Sequence, residues 1–419
     1  MNKIKWVLVF LVAAILSVGA AAQAAEYTEV LTALNIITGE ENETKAISRV
    51  EFLKLGLNLT NEREIAQTYE KKQIFKDVAA DHEDASVVLF AYDSGYIVGN
   101  GGNFSPDRAI TATEANAMLI RMTGYGYIAS VQGEAYVAGA IKMNEGIDTT
   151  AAEMTYGDAF KMIYNILEAP YYKINSIGEV MTLDSGDTTI MGHFHNIYSD
   201  DGLLKAASDT SMTDPQYHSN YAIIDDKSFQ CSFDGAQELV GYNVKYYYRS
   251  DDKEDDTIVA MFPYRNNVLE IDAGDLLIED SDYSEERIVY ENKNGKKSSV
   301  RVEKYANMIY NEEAYPDFTL QTLQPLEGKM TLVDHNRDDV YDLIIMDVYK
   351  NVLVKSCNLA ERVVIGSDNS MVDLDNSAGR SVTIWGSDGA YYEFADISAG
   401  NIATIYQSQS GRKTTVYIS

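Results

Sequence analysis

A short acidic segment, residues 334–342, carries oxygen-bearing side chains at a spacing that suits a cation. Asp334, Asn336, Asp338 and Asp342 stand at its first, third, fifth and ninth positions. In a tight loop such side chains converge on one side, and a backbone carbonyl can help them to surround a hard ion such as Ca²⁺. We therefore predict a calcium site formed by these four residues. The alternative is a solvated acidic hairpin whose Asp and Asn side chains bond their own backbone.

Other residues that could do chemistry are sparse. His193 and His195 would share one face of a strand, where they could bind a transition metal, but no third ligand is identifiable. The chain has no G-x-S-x-G elbow, H-E-x-x-H helix, phosphate-binding loop or paired Cys/His signature. We therefore expect a protein that is not an enzyme. A glycan hydrolase is the remaining enzymatic alternative, because the separation of two catalytic carboxylates is invisible in a sequence.

The elements that would position functional residues are clearest in the stretch that follows Phe75. Apolar residues at helical spacing predict a helix that stops at Gly95, and a glycine-rich loop comes next. A turn at Pro106 then leads to a second helix, where Thr111 and Glu114 have the spacing of a capping box. The order is therefore helix, glycine loop, proline turn and helix.

The same order occurs before and after this stretch. Upstream, an apolar helix ends at Gly39, and Ile47-Ser48-Arg49-Val50-Glu51 opens the next helix. Downstream, a helix before Gly146 precedes Met154-Thr155-Tyr156-Gly157-Asp158, which opens another. Repeats of this size cannot bury their apolar faces alone, so we expect three copies to pack together.

The central copy resembles the S-layer homology repeat, a surface-anchoring module of bacterial cell envelopes. The pattern of that family runs roughly F-x-D-V, helix, G-I-x-x-G, F-x-P-x-x-x-I-T-R-A-E, helix. The matching residues are Phe75, Asp77, Val78, Gly95, Ile97, Gly99, Phe104, Pro106, Ile110, Thr111 and Glu114. The resemblance implies a three-pronged helical unit that holds a secondary cell-wall polysaccharide, often pyruvylated, in grooves between its prongs.

The resemblance assigns glycan binding to the arginine of I-T-R-A-E, whose fixed fork of N–H donors suits a ketal carboxylate. Only the first copy has this residue, as Arg49, because Ala112 and Tyr156 stand at the corresponding places of the other two. Arg49 is therefore the predicted glycan-binding residue. The alternative is a scaffold that packs against other S-layer or envelope proteins. We expect Glu51 and Glu114 to cap helices rather than to bind a ligand.

The chain begins with the organisation of a signal peptide. Residues 1–24 contain lysines, then an apolar run, then Ala22-Gln23-Ala24 as a cleavage site. No second apolar run of about 18 residues follows, so we expect an extracellular protein of the cell wall or S-layer without a membrane span once the leader is cleaved. An uncleaved membrane anchor is the alternative. The net charge of −30 argues against nucleic acid as a partner. Cys231 and Cys357 could form a disulfide or remain thiols.

Beyond Pro170 the pattern changes to the alternation of strands, with turns such as Asn294-Gly295, Asp388-Gly389 and Ser410-Gly411. The predicted fold is multidomain α plus β: a helical unit of three repeats, then an all-β region of small barrels or sandwiches. The predicted divisions are a leader at 1–24, repeats at 25–64, 74–124 and 125–170, and β domains at 171–270, 271–350 (with the calcium loop) and 351–419.

Overall fold

The computed structural model describes residues 27–39, 41–171, 188–232, 235–250, 254–281, 286–318, 327–377 and 379–419. The predicted signal peptide lies outside the described residues. The chain divides into two compact units. The helical unit ends at Asp200 and includes Tyr246–Ala260, and the β unit consists of Asp201–Lys245 and Met261–Ser419.

Short helices make up most of the helical unit. In chain order they are residues 27–33, Arg49–Leu59, Arg63–Thr68, Ala85–Asp93, Ala112–Met122, Gly126–Gln132, Glu134–Ala140, Tyr156–Ile166 and Ile190–His195. Within the described ranges, none of the helices has the length and apolar character needed to cross a membrane.

Three of these helices begin with the same arrangement of hydrogen bonds. In each, a Ser or Thr side chain accepts the N–H of an acidic residue three positions later, and that carboxylate accepts the N–H of the Ser or Thr. The pairs are Ser48 with Glu51, Thr111 with Glu114, and Thr155 with Asp158. Each capping box satisfies backbone donors that the first helical turn leaves unpaired. The capping roles predicted for Glu51 and Glu114 are confirmed.

The residues just before these three caps form a closed ring of backbone hydrogen bonds. The N–H of Ile110 donates to the carbonyl of Ile47 at 3.0 Å, and the N–H of Met154 donates to the carbonyl of Ile110 at 2.9 Å. The N–H of Ile47 completes the ring on the carbonyl of Met154 at 3.0 Å. All three side chains are buried. The ring therefore satisfies buried backbone groups that one segment alone would leave unpaired.

The strands follow the last helix. They are β1 Ile197–Ala207, β2 Thr210–Ser211, β3 Tyr221–Ile224, β4 Lys227–Gln230, β5 Asn243–Arg249, β6 Thr257–Pro263, β7 Asn267–Asp272, β8 Arg287–Glu291, β9 Lys297–Tyr310, β10 Glu313–Ala314, β11 Gly328–Asp334, β12 Tyr341–Asn358, β13 Val363–Gly366, β14 Met371–Asp373, β15 Ser381–Gly386, β16 Ile402–Gln407 and β17 Lys413–Ile418. The strands β1 to β6 form one sheet of order β2-β1-β3-β4-β6-β5, in which β1 also pairs with β5.

The long strand β12 organises the second sheet. It pairs with β9 in parallel and with β11, β13 and β16 in antiparallel fashion. Ile344 and Met346 in its first half belong to one apolar core, whereas Val352 and Val354 in its second half belong to another. One continuous strand thus crosses residue 350 and contributes to two cores.

The coarse fold expectation, helices followed by a large β region, is confirmed. The hairpins at Asn294-Gly295 and Ser410-Gly411 form as predicted, between β8 and β9 and between β16 and β17. The turn at Asp388-Gly389 also forms, since the N–H of Gly386 donates to the carbonyl of Ala390 and the N–H of Tyr392 donates to that of Ile384, both at 2.8 Å. The predicted second strand, however, is reduced to an isolated bridge between Tyr391 and Trp385. The chain then turns inward, with Phe394 buried in a 3₁₀ turn. Barrels or sandwiches stay a prediction.

Candidate functional site

The F-x-D-V segment fixes the turn that precedes the second helix of the central copy. Asp77 accepts hydrogen bonds from the N–H groups of Phe104 and Ser105, at 2.9 and 2.6 Å. The ring of Phe75 stacks on that of Phe104, with 5.8 Å between centroids. A β-carbon at Gly99 would lie 2.3 Å from the Phe75 ring, so glycine is needed there. The characteristic residues of this copy therefore hold one another in place.

The carboxylate of Asp77 is held in its charged form. Burial opposes its ionisation, but the hydrogen bonds from Phe104 and Ser105, with the nearby Arg49, outweigh burial. The pKa of Asp77 is therefore below its usual value. The negative charge of Asp77 stabilises the turn that carries Phe104, which is also the residue that Arg49 contacts.

Arg49, the predicted glycan-binding residue, lies inside the helical unit with only 8% of its surface exposed. Its Nε donates to the carbonyl of Phe104 at 2.9 Å, and its Nη1 lies 3.1 Å from Oε1 of Glu114. Its guanidinium also lies over the Phe104 ring, 5.1 Å from the centroid. Arg49 thus joins the first copy to the second. Glycan binding by Arg49 stays a prediction, and these contacts give the residue a structural role in addition.

A related contact joins the third copy to the first. The hydroxyl of Tyr156, which stands at the arginine position, lies near the carboxylate of Glu51 and interacts with it. Burial, this interaction and the negative charge of Glu51 raise the pKa of Tyr156. Tyr156 therefore meets the capping acid of another copy, as Arg49 meets Glu114. Ala112, at the same position of the second copy, is too short for such a contact.

An exposed cation beside this contact was missed in the sequence. The side chain of Arg108 is 48% exposed, and its Nη2 lies 2.6 Å from the same Glu114 oxygen that Arg49 contacts. Two guanidinium groups therefore share one carboxylate, and of the two that of Arg108 is the exposed one. The available signal was positional: Arg108 stands two residues before Ile110, as Lys45 stands two residues before Ile47.

The predicted calcium loop is held together by its own hydrogen bonds. Buried Asp334 accepts from the N–H groups of Arg337 and Asp339 and from the side chain of Asn267. Asp342 accepts from the N–H of His335 at 3.1 Å. The side chains of Asn336 and Asp338 likewise accept from backbone N–H groups two residues on. The four predicted ligands lie in one loop, and each of them already accepts at least one hydrogen bond.

The fit of this loop to a cation is therefore incomplete. Across the described ranges, no three His, Cys, Asp or Glu side chains are grouped so as to hold a metal ion. Burial, with repulsion from Asp334 and Asp338, raises the pKa of Asp342, and a cation would relieve that repulsion. The contacts favour the self-bonded hairpin, and calcium binding stays a prediction.

The interpretation of His193 and His195 as metal ligands depended on a predicted strand, and that strand prediction was wrong. Both residues lie on the helix Ile190–His195, where residues two apart point in different directions. His195 instead lies with Nε2 2.8 Å from the carbonyl of Leu59. Its ring therefore pairs with a backbone carbonyl at the C-terminal end of the helix Arg49–Leu59. The residues around His195 in the sequence do not reveal this contact.

We expect the helical unit to lose stability as the pH falls below about 6.5, the ordinary pKa of histidine. Burial lowers the pKa of His195, so the unfolded chain takes up the proton more readily than the folded one. The contribution of neutral His195 to stability is complete above the pKa that histidine has in the unfolded chain, and it declines below that pKa. Urea unfolding at pH 7.5 and 5.5 measures this decline, which His195→Gln should reduce. Exposed His218, changed to Gln, is the control, and an equal decline in both variants would refute the assignment.

The two cysteines, both among the described residues, are not joined in a disulfide. Cys231 is buried and Cys357 is half-buried. The thiol of Cys357 lies 3.6 Å from the carbonyl of Ile397. The disulfide alternative is therefore not what the structure shows.

Comparison with known proteins identifies the central copy. Residues 74–111 match the family model of the S-layer homology domain. A crystal structure of a multidomain protein with nucleic acid binding domains from Streptococcus pneumoniae TIGR4 has 11% identity, a TM-score of 0.11, and coverage of 53% of this chain and 73% of that one. So low a TM-score carries no inference about the fold. A search of curated proteins found no match. Residues 74–111 are an S-layer homology domain, and the chain is a cell-surface-associated protein that carries it.

Proposed function

We propose that this protein is exported and held non-covalently at the bacterial cell wall by three S-layer-homology-like repeats, and that it displays its β domains outward. The observation that carries the proposal is the family match at residues 74–111, set within the hydrogen-bonded ring of Ile47, Ile110 and Met154. The ring relates one position in each of the three copies. This closure supports the interpretation that the segments around Ile47 and Met154, which lie outside the matched residues, belong to two divergent copies.

The ligand in this proposal is an anionic secondary cell-wall polysaccharide. Arg108 has an exposed guanidinium at the junction of the first two copies. Buried Arg49 contacts the same Glu114 oxygen and so helps to hold Glu114, the partner of Arg108, in place. Nη1 of Arg108 donates to the carbonyl of Ala109 and Nη2 donates to Glu114. A sugar carboxylate would accept hydrogen bonds from the guanidinium N–H groups that remain, because a planar guanidinium suits a carboxylate. Arg49 then serves chiefly to fix Glu114 and the Phe104 turn.

A sedimentation assay with purified cell wall tests this proposal. The mature chain should pellet with wall that retains its polysaccharide, and Arg108→Ala should weaken binding about tenfold, the equivalent of one charge-assisted hydrogen bond. Lys142→Ala is the matched control, because that side chain is 76% exposed and makes only a loose pair with Glu145. Failure of the unmodified chain to pellet would refute glycan anchoring.

A second candidate is an assembly protein whose repeats bind other envelope proteins. The burial of Arg49 favours it, since the one arginine at the family's binding position is engaged inside the unit. This function predicts retention by envelope protein and none by protein-free wall. The expectation that the chain is not an enzyme stands beside both candidates as a prediction.

A further inference from the structure

Four neighbouring strands of the β unit have one buried face and one accessible face. The strands β12, β16, β17 and β15 lie side by side in that order. Val352, Ile405, Val416 and Ile384 point to one side, where they belong to a single apolar core. Because side chains alternate along a strand, the residues between them lie on the other side. We call that other side the accessible side.

Aromatic residues from all four strands meet on the accessible side. Cross-strand register places Tyr349 opposite Tyr406, and it places Tyr417 opposite Trp385. The rings of Tyr349 and Tyr406 are 5.4 Å apart, and those of Tyr406 and Tyr417 are 5.9 Å apart. Tyr391 extends the row, with its ring 6.2 Å from that of Trp385. We call these five residues the tyrosine face.

The tyrosine face is open to solvent and continues into apolar surface. Tyr417 is 50% exposed and Tyr391 is 59% exposed. Beside them, Leu353 and Ile402 form a cross-strand pair and are 51% and 45% exposed. Adjacent exposed side chains of this kind mark interaction surfaces, whereas single exposed apolar residues are ordinary.

Small polar groups lie between the rings. Thr404 is opposite Tyr417, and its hydroxyl donates to the amide oxygen of Asn351 at 2.7 Å. Thr415 is opposite Tyr406 on the same face. Aromatic rings can cover the apolar C–H face of a sugar ring, while nearby hydroxyl and amide groups can bond sugar hydroxyls. This mixture of aromatic and polar groups therefore suits a glycan as the ligand better than it suits a purely apolar surface of another protein.

The surroundings of the tyrosine face are negatively charged. Asp347 is on the same face of β12 as Tyr349, two residues earlier. Tyr417 is half-buried, which raises its pKa, and the charges of Glu312, Glu238 and Asp347 raise it further. Burial also raises the pKa of Asp347, although Lys329, which lies opposite it on β11, opposes that rise. The nearby Lys413 is only 12% exposed, and its ammonium group is bonded to Asp209, Thr210 and the carbonyl of Glu312. A cationic ligand would therefore be attracted, and an anionic polymer repelled.

We propose that the tyrosine face binds a glycan strand whose amino sugars carry free ammonium groups. The sugar rings pack on Tyr417, Trp385 and Tyr391. The ammonium groups face Asp347, Glu312 and Glu238. This site uses only the β unit, so it is independent of anchoring by the helical repeats. It would give the displayed part of the protein a ligand of its own, of opposite charge to the anchoring polysaccharide.

Binding of short oligosaccharides to the full mature chain tests the proposal. The probe is the hexamer of β-1,4-linked glucosamine, titrated by calorimetry at pH 6, and its fully N-acetylated form is the neutral comparison. We expect the glucosamine hexamer to bind at least tenfold more tightly than the N-acetylated one. Tyr417→Ala should weaken binding at least tenfold, whereas Tyr305→Ala, at an 85% exposed tyrosine of β9, should leave it unchanged.

Further variants separate the charge and the anchoring contributions. Glu238→Gln, at an exposed position, should reduce the preference for the charged hexamer, and Arg108→Ala should leave hexamer binding intact. Absence of binding to either hexamer, or equal affinity for both, would overturn the proposal. So would a dimer of this chain that Tyr417→Ala dissociates while hexamer binding stays unchanged, because the face would then serve self-association.

Discussion

Replacing Arg49 by alanine is expected to lower the free energy of unfolding of the helical unit by about 3 kcal/mol. The change removes the bond to the carbonyl of Phe104, the contact with Glu114 and the packing of the guanidinium on the Phe104 ring. A buried carbonyl loses its donor, and a cavity forms between two copies. Urea unfolding followed by far-ultraviolet circular dichroism measures the loss.

The matched control for this prediction is Arg108→Ala. Arg108 contacts the same Glu114 oxygen, but its side chain is 48% exposed, so its removal should cost less than about 1 kcal/mol. Equal losses for both variants would show that Arg49 is no more structural than its neighbour. The comparison also matters for wall binding, because lost binding by Arg49→Ala would otherwise combine a missing ligand contact with a weakened fold.

The second large effect is expected at Asp334, which is 1% exposed. Asp334→Ala leaves three donors without their acceptor, the N–H groups of Arg337 and Asp339 and the amide of Asn267. Arg337 and Asp339 both have positive φ, at 63° and 67°, so the turn has little stability of its own to compensate. We expect the β unit to lose about 3 kcal/mol in urea unfolding.

Asp338→Ala is the control in the same loop. The Asp338 side chain is exposed and accepts only from the N–H of Val340, so a loss below about 1 kcal/mol is expected. The same pair tests the predicted calcium site. If the loop binds Ca²⁺, then 1 mM calcium raises the melting temperature of the unmodified chain, and Asp338→Ala abolishes that rise. A loop that is held only by its own backbone shows neither effect.

The parts of the fold that depend on neighbouring residues were predictable from the sequence. The capping pair of Thr111 and Glu114 is three residues apart, and the hairpin at Asn294-Gly295 needs only a turn that accepts positive φ. Both formed as predicted. The sequence also placed the S-layer homology domain, because its residues contact one another within a single copy: Phe75 lies against Gly99 and Phe104, and Asp77 accepts from the N–H of Phe104.

The parts that depend on distant residues were not predictable. Arg49 contacts Phe104, 55 positions away, and the binding motif alone does not show that such a partner covers it. His195 was assigned to a strand because of the alternation around it, but a short alternating segment is also compatible with a helix. Its partner, Leu59, is 136 positions away in the sequence. The association of Tyr349, Tyr406, Tyr417 and Trp385 was not predicted for the same reason, since Trp385 and Tyr417 meet only when β15 and β17 pair in parallel.

The ring formed by Ile47, Ile110 and Met154 bears on how much sequence change the helical unit tolerates. Its three bonds join backbone atoms only, so the closure does not depend on which side chain occupies the arginine position one residue past each cap. A copy can therefore exchange arginine for alanine or tyrosine, as at Ala112 and Tyr156, while the threefold closure survives. Such an architecture permits the arginine position of each segment to vary singly, while the backbone ring continues to define the shape.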